Sequence, residues 1–340
     1  MKAFTANAPR AISIALSLAA LLVPALAHAD ATEIRLAKQY GLGYLPMMVM
    51  EHDKLIEKHA AAMGLGEVKA TWMTIGGGSV SNDALLSGSV DIVGGGIGGF
   101  ITLWERTRGK IDVKSPGVIA EYPMLLNTNN PKIRSIADFT DQDKIGLPAV
   151  RISPQALTLQ KACADKWGKA QYAKLDHITV NMKHPDAVQA LLSGGMQVDA
   201  HFATPPFSDI ELKDPKIHTV LNSFDVWGGP HTENILWTTK KFVESNPKLY
   251  QAFTQALAES MRIINGDKRK AAELYVEMAH DKEGVDGVYK ILSNPQLQFN
   301  ETPRHILKFM EFKHETGTLK TMPDSWKDLF FPNVWQFQGS

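Results

Sequence analysis

Cysteine is almost absent from this 340-residue sequence, in which Cys163 is the only one. A single thiol cannot form an internal disulfide, so the fold must be stable without covalent cross-links, even in an oxidising compartment. Cys163 lies with Ala156, Leu159 and Trp167 on an apolar stripe at helical spacing. This pattern favours a core side chain over a catalytic nucleophile.

Motifs for nucleotide binding and metal-dependent hydrolysis are also missing. The sequence contains no Gly-x-x-x-x-Gly-Lys-Ser/Thr loop, no His-Glu-x-x-His helix and no Gly-x-Ser-x-Gly turn. His201, His231 and Glu233 could in principle hold a metal ion together. Eleven histidines are scattered along the chain, however, which favours chance proximity. We therefore predict no catalytic residues, no metal site and no cofactor.

Positive charge is not concentrated in any segment. The chain has 36 basic and 36 acidic side chains, and its formal net charge is +0. Without a basic patch, nucleic acid and anionic membrane surfaces are poor candidates for partners.

The one long apolar run lies at the N-terminus. Basic residues precede an apolar stretch at 12–26, and Ala27-His28-Ala29 has the small-x-small pattern of a cleavage site. A membrane anchor is the alternative, but the run is short and interrupted by Pro24. We predict that residues 1–29 are a signal peptide and that the mature chain works in the periplasm.

The stretch 76–100 is the most informative part of the chain. Two glycine clusters flank a short helix and a short strand, and Ser79 or Ser81 is expected to cap the helix. The unpaired N–H groups of such a helix start can bind an anion. The same Ala-Leu-Leu-Ser-Gly helix end, followed by a strand, recurs within 186–204. We predict two α/β lobes that each direct a strand-end loop at one cleft.

Two further elements are predicted from the sequence. Pro46 suits the first turn of a helix, which is expected to run to about Met63. Residues 118–126 are expected to form one longer strand, which could be a connector that leaves the first lobe.

The second glycine cluster has another interpretation. Gly94, Gly96 and Gly99, with Glu121 further on, formally match the dinucleotide fingerprint Gly-x-Gly-x-x-Gly. Their strand is not the first of its βαβ unit, and an exported chain meets little nicotinamide cofactor. A glycine-lined ligand loop is therefore favoured.

Several side chains next to the predicted cleft loops are candidates for ligand contacts. Arg151 precedes a helix that Ser153 can cap, so its guanidinium could meet a bound oxyanion. A solvated loop arginine is the equal alternative. Tyr40, Tyr44 and Trp227 could hold an organic body between apolar faces.

The mature chain resembles the substrate-binding proteins of ABC importers of the nitrate/sulfonate/taurine (NitT/TauT) type. The resemblance rests on the order and spacing of segments 34–41, 82–96, 136–148 and 241–253, and it covers nearly all of the mature chain. It implies an α/β fold of the type II periplasmic binding protein class, in which hinge strands join two α/β lobes around a ligand cleft. Lobe 1 would comprise 30–121 and 241–340, and lobe 2 would comprise 122–240.

The cleft loops and the positions carried over from this resemblance together give a predicted set of ligand-binding residues. These are Gln39, Tyr40, Gly41, Tyr44, Gly78, Ser79, Asn82, Gly96, Ile97, Arg151, Ser153, Thr204 and Trp227. Arg151-Ile-Ser-Pro replaces a Gly-Ser pair found in many relatives, and His201-Phe replaces a tryptophan. These departures predict a ligand other than plain taurine or a simple alkanesulfonate.

The resemblance implies a substrate-binding component of an ABC importer and not an enzyme. Such a protein, working as a monomer, would capture a small organic anion, such as a sulfonate or a carboxylate. It would deliver this ligand to the permease and ATPase complex at the inner membrane. The alternative is an exported enzyme of the same fold that acts on a small heterocyclic or organic-acid substrate.

Overall fold

The computed structural model describes residues 1–3, 30–194 and 197–340. The predicted signal peptide, residues 1–29, therefore lies outside the described residues except for its first three. In the described part of the chain, no helix is both long enough and apolar enough to cross a bilayer.

The strands of the described residues form two five-stranded sheets. In chain order they are β1 (Glu33–Lys38), β2 (Lys69–Thr74), β3 (Ile92–Gly96), β4 (Val113–Glu121), β5 (Leu125–Thr128), β6 (Ile145–Leu147), β7 (Thr179–Asn181), β8 (Ala200–Ala203), β9 (His218–Asn222) and β10 (Thr232–Thr239). The first sheet has the order β2-β1-β3-β10-β4, and the second has the order β7-β6-β8-β5-β9. The part of the molecule around the first sheet is called lobe 1 below, and the part around the second sheet is called lobe 2.

The two sheets share one plan. In lobe 1, β1 runs parallel to both of its neighbours, while β10 runs antiparallel to both of its own. In lobe 2, β6 takes the place of β1 and β5 takes the place of β10. The parallel strands β1, β3, β6 and β8 all end near the gap between the lobes, so the loops that follow them face each other.

Helices cover the sheets. They are α1 (Leu45–His52), α2 (Leu55–Ala62), α3 (Gly78–Leu86), α4 (Ile97–Thr107), α5 (Pro154–Trp167), α6 (His184–Ser193), α7 (Phe207–Glu211), α8 (Ser223–Trp227), α9 (Lys240–Ser245), α10 (Pro247–Gly266), α11 (Lys268–Ala279), α12 (Gly284–Leu292) and α13 (Ile306–Glu315). The long α10 packs on α1 and α2. Its apolar stripe, which includes Leu249, Phe253 and Leu257, is buried, and each such side chain contributes roughly 1.5–3 kcal/mol.

Cys163 is fully buried in the core of lobe 2, as its apolar surroundings in the sequence predict. Burial raises the pKa of its thiol to about 12. A thiol with so high a pKa stays protonated and unreactive at neutral pH.

Two predicted elements differ from the structure. The helix expected from Pro46 to about Met63 is divided at Lys54, whose φ of 52° is left-handed and ends the first segment. The strand expected at 118–126 is two strands, because β4 belongs to the first sheet and β5 to the second. Residues 122–124 therefore form one crossing between the lobes.

The place of β10 changes the predicted lobe boundary. The boundary at residue 240 assigned these residues to lobe 2, but β10 lies between β3 and β4 in the first sheet. Its backbone pairs with both neighbours, so that Asn234 is opposite Gly96 on one side and Ala120 on the other. We therefore propose that lobe 1 comprises 30–121 and 232–340 and that lobe 2 comprises 122–231.

Candidate ligand cleft

A narrow polar cleft lies between the lobes. It measures about 430 Å³ including its open mouth, and both lobes contribute to its walls. Seven predicted residues line it: Gln39, Tyr40, Tyr44, Gly78, Gly96, Ser153 and Thr204. A wider groove, also lined by Gln39 and Tyr40, continues outward between α1, α6 and α11.

The lobes touch each other beside this cleft. The backbone N–H of Leu42 in lobe 1 donates a hydrogen bond of 3.0 Å to the carbonyl oxygen of Pro205 in lobe 2. A Cβ atom on Gly98 would lie well inside 3.0 Å of the Ile152 carbonyl oxygen, a distance that real Cβ atoms do not reach. A Cβ atom on Gly96 would lie 2.5 Å from Pro154 Cγ. The glycines of lobe 1 therefore permit this close approach.

Three helices begin at the cleft. No side chain caps α3, whose N-cap is Gly77, or α4, whose N-cap is Gly96, so the first N–H groups of both are available to a ligand. Ser153 caps α5 as predicted, because its Oγ accepts a 3.2 Å hydrogen bond from the N–H of Ala156. The capping predicted for α3 is wrong, since Ser79 is exposed and the Oγ of Ser81 donates to the Gly77 carbonyl.

Two tyrosines and an asparagine form a hydrogen-bonded set at the base of the cleft. The hydroxyl of Tyr122 donates to Asn234 Oδ1 at 2.5 Å, and Asn234 Nδ2 donates to the Tyr44 hydroxyl oxygen at 2.9 Å. Burial, and after it the nearby Glu233 carboxyl, raises the pKa of both tyrosines well above the ordinary value. Both therefore stay protonated, and Tyr44 keeps its hydroxyl proton for another acceptor.

Glu233, next to Asn234 on β10, lines the cleft with a side chain that is only 2% exposed. Its Oε2 atom is buried and has no hydrogen-bond partner. Burial raises the pKa of this carboxyl well above its usual range. A buried acid without a partner is kept neutral by its surroundings, a pattern that is common at functional sites.

The lobe 2 wall of the cleft is backed by a buried polar chain. Gln155 Nε2 lies 3.5 Å from His184 Nε2, and His184 Nδ1 is hydrogen-bonded to His201 Nε2 at 2.8 Å. His201 Nδ1 is in turn 2.5 Å from Glu211 Oε1, and Asn127 Nδ2 donates to Glu211 Oε2 at 2.9 Å. Burial, and after it the neighbouring His201, lowers the pKa of His184, so its ring is neutral. When His201 donates to Glu211, His184 Nδ1 donates to His201, and the lone pair of His184 Nε2 is left to accept from Gln155 Nε2.

Arg151 does not line the cleft in this structure. Its side chain is exposed in a separate groove with Gln160, Asp176 and His177, and its φ of 67° marks a left-handed turn that leads away from the ligand loops. Burial raises the pKa of Asp176, while the hydrogen bond from Gln160 and then the charge of Arg151 act in the opposite direction. The guanidinium is therefore placed next to a carboxylate of its own chain.

Trp227 and Ile97 are core residues. The indole of Trp227 is 4% exposed, packs on Phe309 with ring centroids 4.1 Å apart, and donates from Nε1 to Thr158 Oγ1 at 2.9 Å. Ile97 is fully buried in the same apolar cluster. The apolar surface of both side chains is buried, and the indole N–H has a hydrogen-bond partner. Neither side chain therefore presents a free group to a ligand.

Three more predicted residues lie beside the cleft lining and not in it. Asn82 is buried and donates from Nδ2 to the Gly99 carbonyl at 3.1 Å, which ties α3 to α4. Gly41, with a φ of 110°, packs against Pro205 and Phe207 of lobe 2. Ser79 is exposed on the first turn of α3. Asn82 and Gly41 therefore position the walls of the cleft.

Sequence reasoning missed several residues that line the cleft. They are Tyr122, Pro148, Ala149, Pro154, Gln155, His184, Glu233 and Asn234. The polar members come from the two crossings between the lobes, from the first turn of α5 and from the first residue of α6. Glu233 and Asn234 form a polar pair directly before the apolar run Ile235-Leu-Trp in strand 232–239, and this pair was the available signal for two of them.

Neither a metal site nor a dinucleotide loop is formed by the residues proposed for them. His201 is paired with His184 and Glu211, whereas His231 is hydrogen-bonded to Ser223. Among the described residues, no group of three His, Cys, Asp or Glu side chains could hold a metal ion. A Cβ atom on Gly94, the first glycine of the fingerprint, would lie less than 3.0 Å from Met47 Sδ, so this glycine makes room for core packing.

Comparison with protein families and with known sequences gives one match. The model of the NMT1-like family matches residues 27–279 of this chain. No match is found among curated protein sequences.

Solved structures are similar to the chain over most of its length. A protein of Bordetella bronchiseptica RB50 gives a TM-score of 0.69 at 20% identity, covering 90% of this chain and 96% of its own. The alkanesulfonate-binding protein of Xanthomonas axonopodis pv. citri, bound to MOPS, gives 0.67 at 15% identity, covering 86% and 95%. The periplasmic nitrate-binding protein of Synechocystis PCC 6803 gives 0.66 at 14% identity, covering 90% and 88%. The predicted fold, that of two-lobed periplasmic binding proteins, is thereby confirmed.

Proposed function

The chain belongs to the NMT1-like family, and we propose that it is the substrate-binding component of an ABC importer. The resemblance to nitrate/sulfonate/taurine-type binding proteins is confirmed by this family and by the alkanesulfonate- and nitrate-binding neighbours. In the proposed function, the protein captures a small organic anion in the periplasm and hands it to the permease and ATPase complex. It acts as a monomer and leaves its ligand chemically unchanged.

The observation that carries the proposal is the convergence of helix starts on a cleft between two lobes. The uncapped starts of α3 and α4 supply N–H donors from lobe 1, and the start of α5 faces them from lobe 2. Such starts carry partial positive charge and bind oxyanions. Ligand on one lobe would therefore attract the other, which favours a closed state.

Backbone groups have to supply most of the anion recognition. Within the part of the chain that the structure describes, neither lysine nor arginine lines the cleft. The charge of an oxyanion would thus be balanced by helix N–H groups, together with the hydroxyl of Tyr44. Donors of this kind suit the compact oxygen atoms of a sulfonate or a carboxylate.

A binding experiment separates this function from that of an exported enzyme. Purified protein is screened by thermal shift against sulfonates, carboxylates, nitrate and MOPS, and hits are confirmed by calorimetry. We expect a raised melting temperature, a smaller radius of gyration in X-ray scattering at saturation, and full recovery of the unchanged compound by mass spectrometry. Conversion of a bound compound into a product would overturn the proposal in favour of the enzyme.

A further inference from the structure

Glu233 is the one acid among the described residues that line the cleft, and its environment differs from that of the other buried acids. Glu211, which is fully buried, is held by His201 and Asn127. Glu121, also buried, lies within 3.5 Å of Arg304. Glu233 is 2% exposed, and in the described part of the chain its carboxyl is in no ion pair and its buried Oε2 has no hydrogen-bond partner.

A buried carboxyl without a partner lowers the stability of the free protein. Its removal from water is not compensated by any hydrogen bond. Burial alone raises its pKa, and the carboxyl in turn raises the pKa of the nearby Tyr44 and Tyr122, whose hydroxyls are neutral. Such a carboxyl is best explained if a group of the bound ligand is its hydrogen-bonding or ion-pair partner.

The opposite wall of the cleft also presents an acceptor. Gln155 Oε1 is buried without a hydrogen-bond partner, and the amide lines the cleft beside His184. The lone pair of the neutral His184 faces Gln155 Nε2, so Gln155 Oε1 is the acceptor that lobe 2 offers, while Glu233 offers one from lobe 1. Acceptors facing each other require a molecule that carries hydrogen-bond donors.

The acid and the helix starts lie close together. A Cβ atom on Gly96, the N-cap of α4, would be 3.7 Å from Glu233 Oε1 and 2.5 Å from Pro154 Cγ, at the start of α5. One small molecule can therefore contact Glu233 and the helix starts at the same time.

On the premise that the proposed function holds, we propose that the ligand is a small zwitterion whose basic nitrogen pairs with Glu233. Its acidic end lies at the helix starts, and only a few bonds separate the acidic and basic groups. Binding converts Glu233 from a neutral acid to a carboxylate, and the proton passes to solvent.

Matched probes test this proposal. Calorimetry compares 2-aminoethanesulfonate, 3-aminopropanesulfonate, β-alanine and MOPS with ethanesulfonate, propanesulfonate and propionate, which lack the nitrogen. We expect at least one zwitterion to bind roughly 30-fold or more tightly than its nitrogen-free analogue, as for a buried charge pair. In wild type, titration in buffers of different ionisation enthalpy should show proton release at mildly acid pH.

Glu233→Gln keeps the size of the side chain and removes its charge. We expect this variant to lose the preference for the zwitterion and the proton release, and to bind the nitrogen-free analogue about as well as wild type does. Glu311→Gln makes the same chemical change at an exposed position on α13 and should behave like wild type. The ligand-free Glu233→Gln protein should melt close to wild type, because a neutral amide replaces a neutral acid of the same size, and this result would show that it folds.

The possible failures can be told apart. If both members of every probe pair bind equally, or if only nitrogen-free anions bind, the proposal of a zwitterionic ligand is overturned. The proposed binding function is not affected by either result. An unchanged preference in Glu233→Gln overturns the role of this residue. If no probe binds, mass spectrometry of compounds retained from a bacterial extract decides: a retained ligand without a basic nitrogen contradicts this proposal alone, and retention of nothing contradicts both proposals.

Discussion

Two ionisable side chains near the cleft differ in their surroundings. Glu233 is buried in the cleft wall without a partner, whereas Arg151 is exposed in a groove of lobe 2 beside Asp176. An exposed charge gains or loses little free energy when its surroundings change, because water screens it. A buried charge has a large effect on the free energy of binding of a ligand next to it, because water does not screen it. Substitutions at these two positions should therefore have very different effects on ligand binding.

Arg151 provides the simplest test at this scale. We predict that Arg151→Asn changes the free energy of ligand binding by less than about 1 kcal/mol, as for a solvated charge. Asparagine is chosen because it tolerates the left-handed φ of 67°. Calorimetry with the best compound from the screen measures the effect, and Gln155→Ala, which alters a lining residue of the adjoining helix, is the matched comparison. A loss of about 2 kcal/mol or more would place the guanidinium on the ligand.

At the scale of elements, the start of α4 determines how closely the lobes can approach. Gly98 lies in the first turn of this helix and faces the Ile152 carbonyl across the cleft. Alanine is favoured over glycine inside a helix by about 1 kcal/mol, so lobe 1 itself should tolerate the change. Only the closed arrangement has no space for the methyl group.

We predict that Gly98→Ala weakens ligand binding roughly tenfold or more, since overpacking an interface costs about 1–3 kcal/mol. The ligand-induced decrease in radius of gyration should shrink in parallel. Gly266→Ala, at the end of α10 with open space around it, is the control for the same substitution and should bind normally. A Gly98→Ala protein that binds and closes like wild type would contradict this account of closure.

At the scale of the whole molecule, buried histidines couple stability to pH. His231 is fully buried, with aromatic rings of Phe224 and Phe309 against it, and burial lowers its pKa to about 3. The unfolded chain takes up this proton near pH 6.5, whereas the folded chain does not until about pH 3. Acidification through this window therefore favours unfolding.

We predict that lowering the pH from 7 to 5 removes about 2 kcal/mol of unfolding free energy through His231 alone. Urea unfolding at the two pH values measures this loss. His231→Gln cannot titrate and should show a smaller loss over the same interval, while His184 continues to contribute in the same direction in both proteins. The raised pKa of Glu233 acts in the opposite direction and is common to both, so it cancels in the comparison. Equal losses in the two proteins would contradict the prediction.

The sequence by itself determined the features that depend on neighbouring residues. Strand alternation, the Ser153-Pro154 helix start and the glycine clusters before α3 and α4 are local signals, and the structure has each of these elements close to its predicted place. The two-lobed fold followed from their order. Local signals suffice here because backbone conformation responds mainly to residues within one or two turns.

Only the tertiary structure decided which side chains face the ligand. Glu233 and Asn234 line the cleft because β10 pairs with β3, a strand about 140 residues earlier in the chain, and that register cannot be read from either strand alone. Trp227 is removed from the cleft by its packing on Phe309, and Arg151 by the left-handed turn that contains it. The direction of a side chain depends on partners that are distant in sequence, and their positions are fixed only when the sheets and helices pack together.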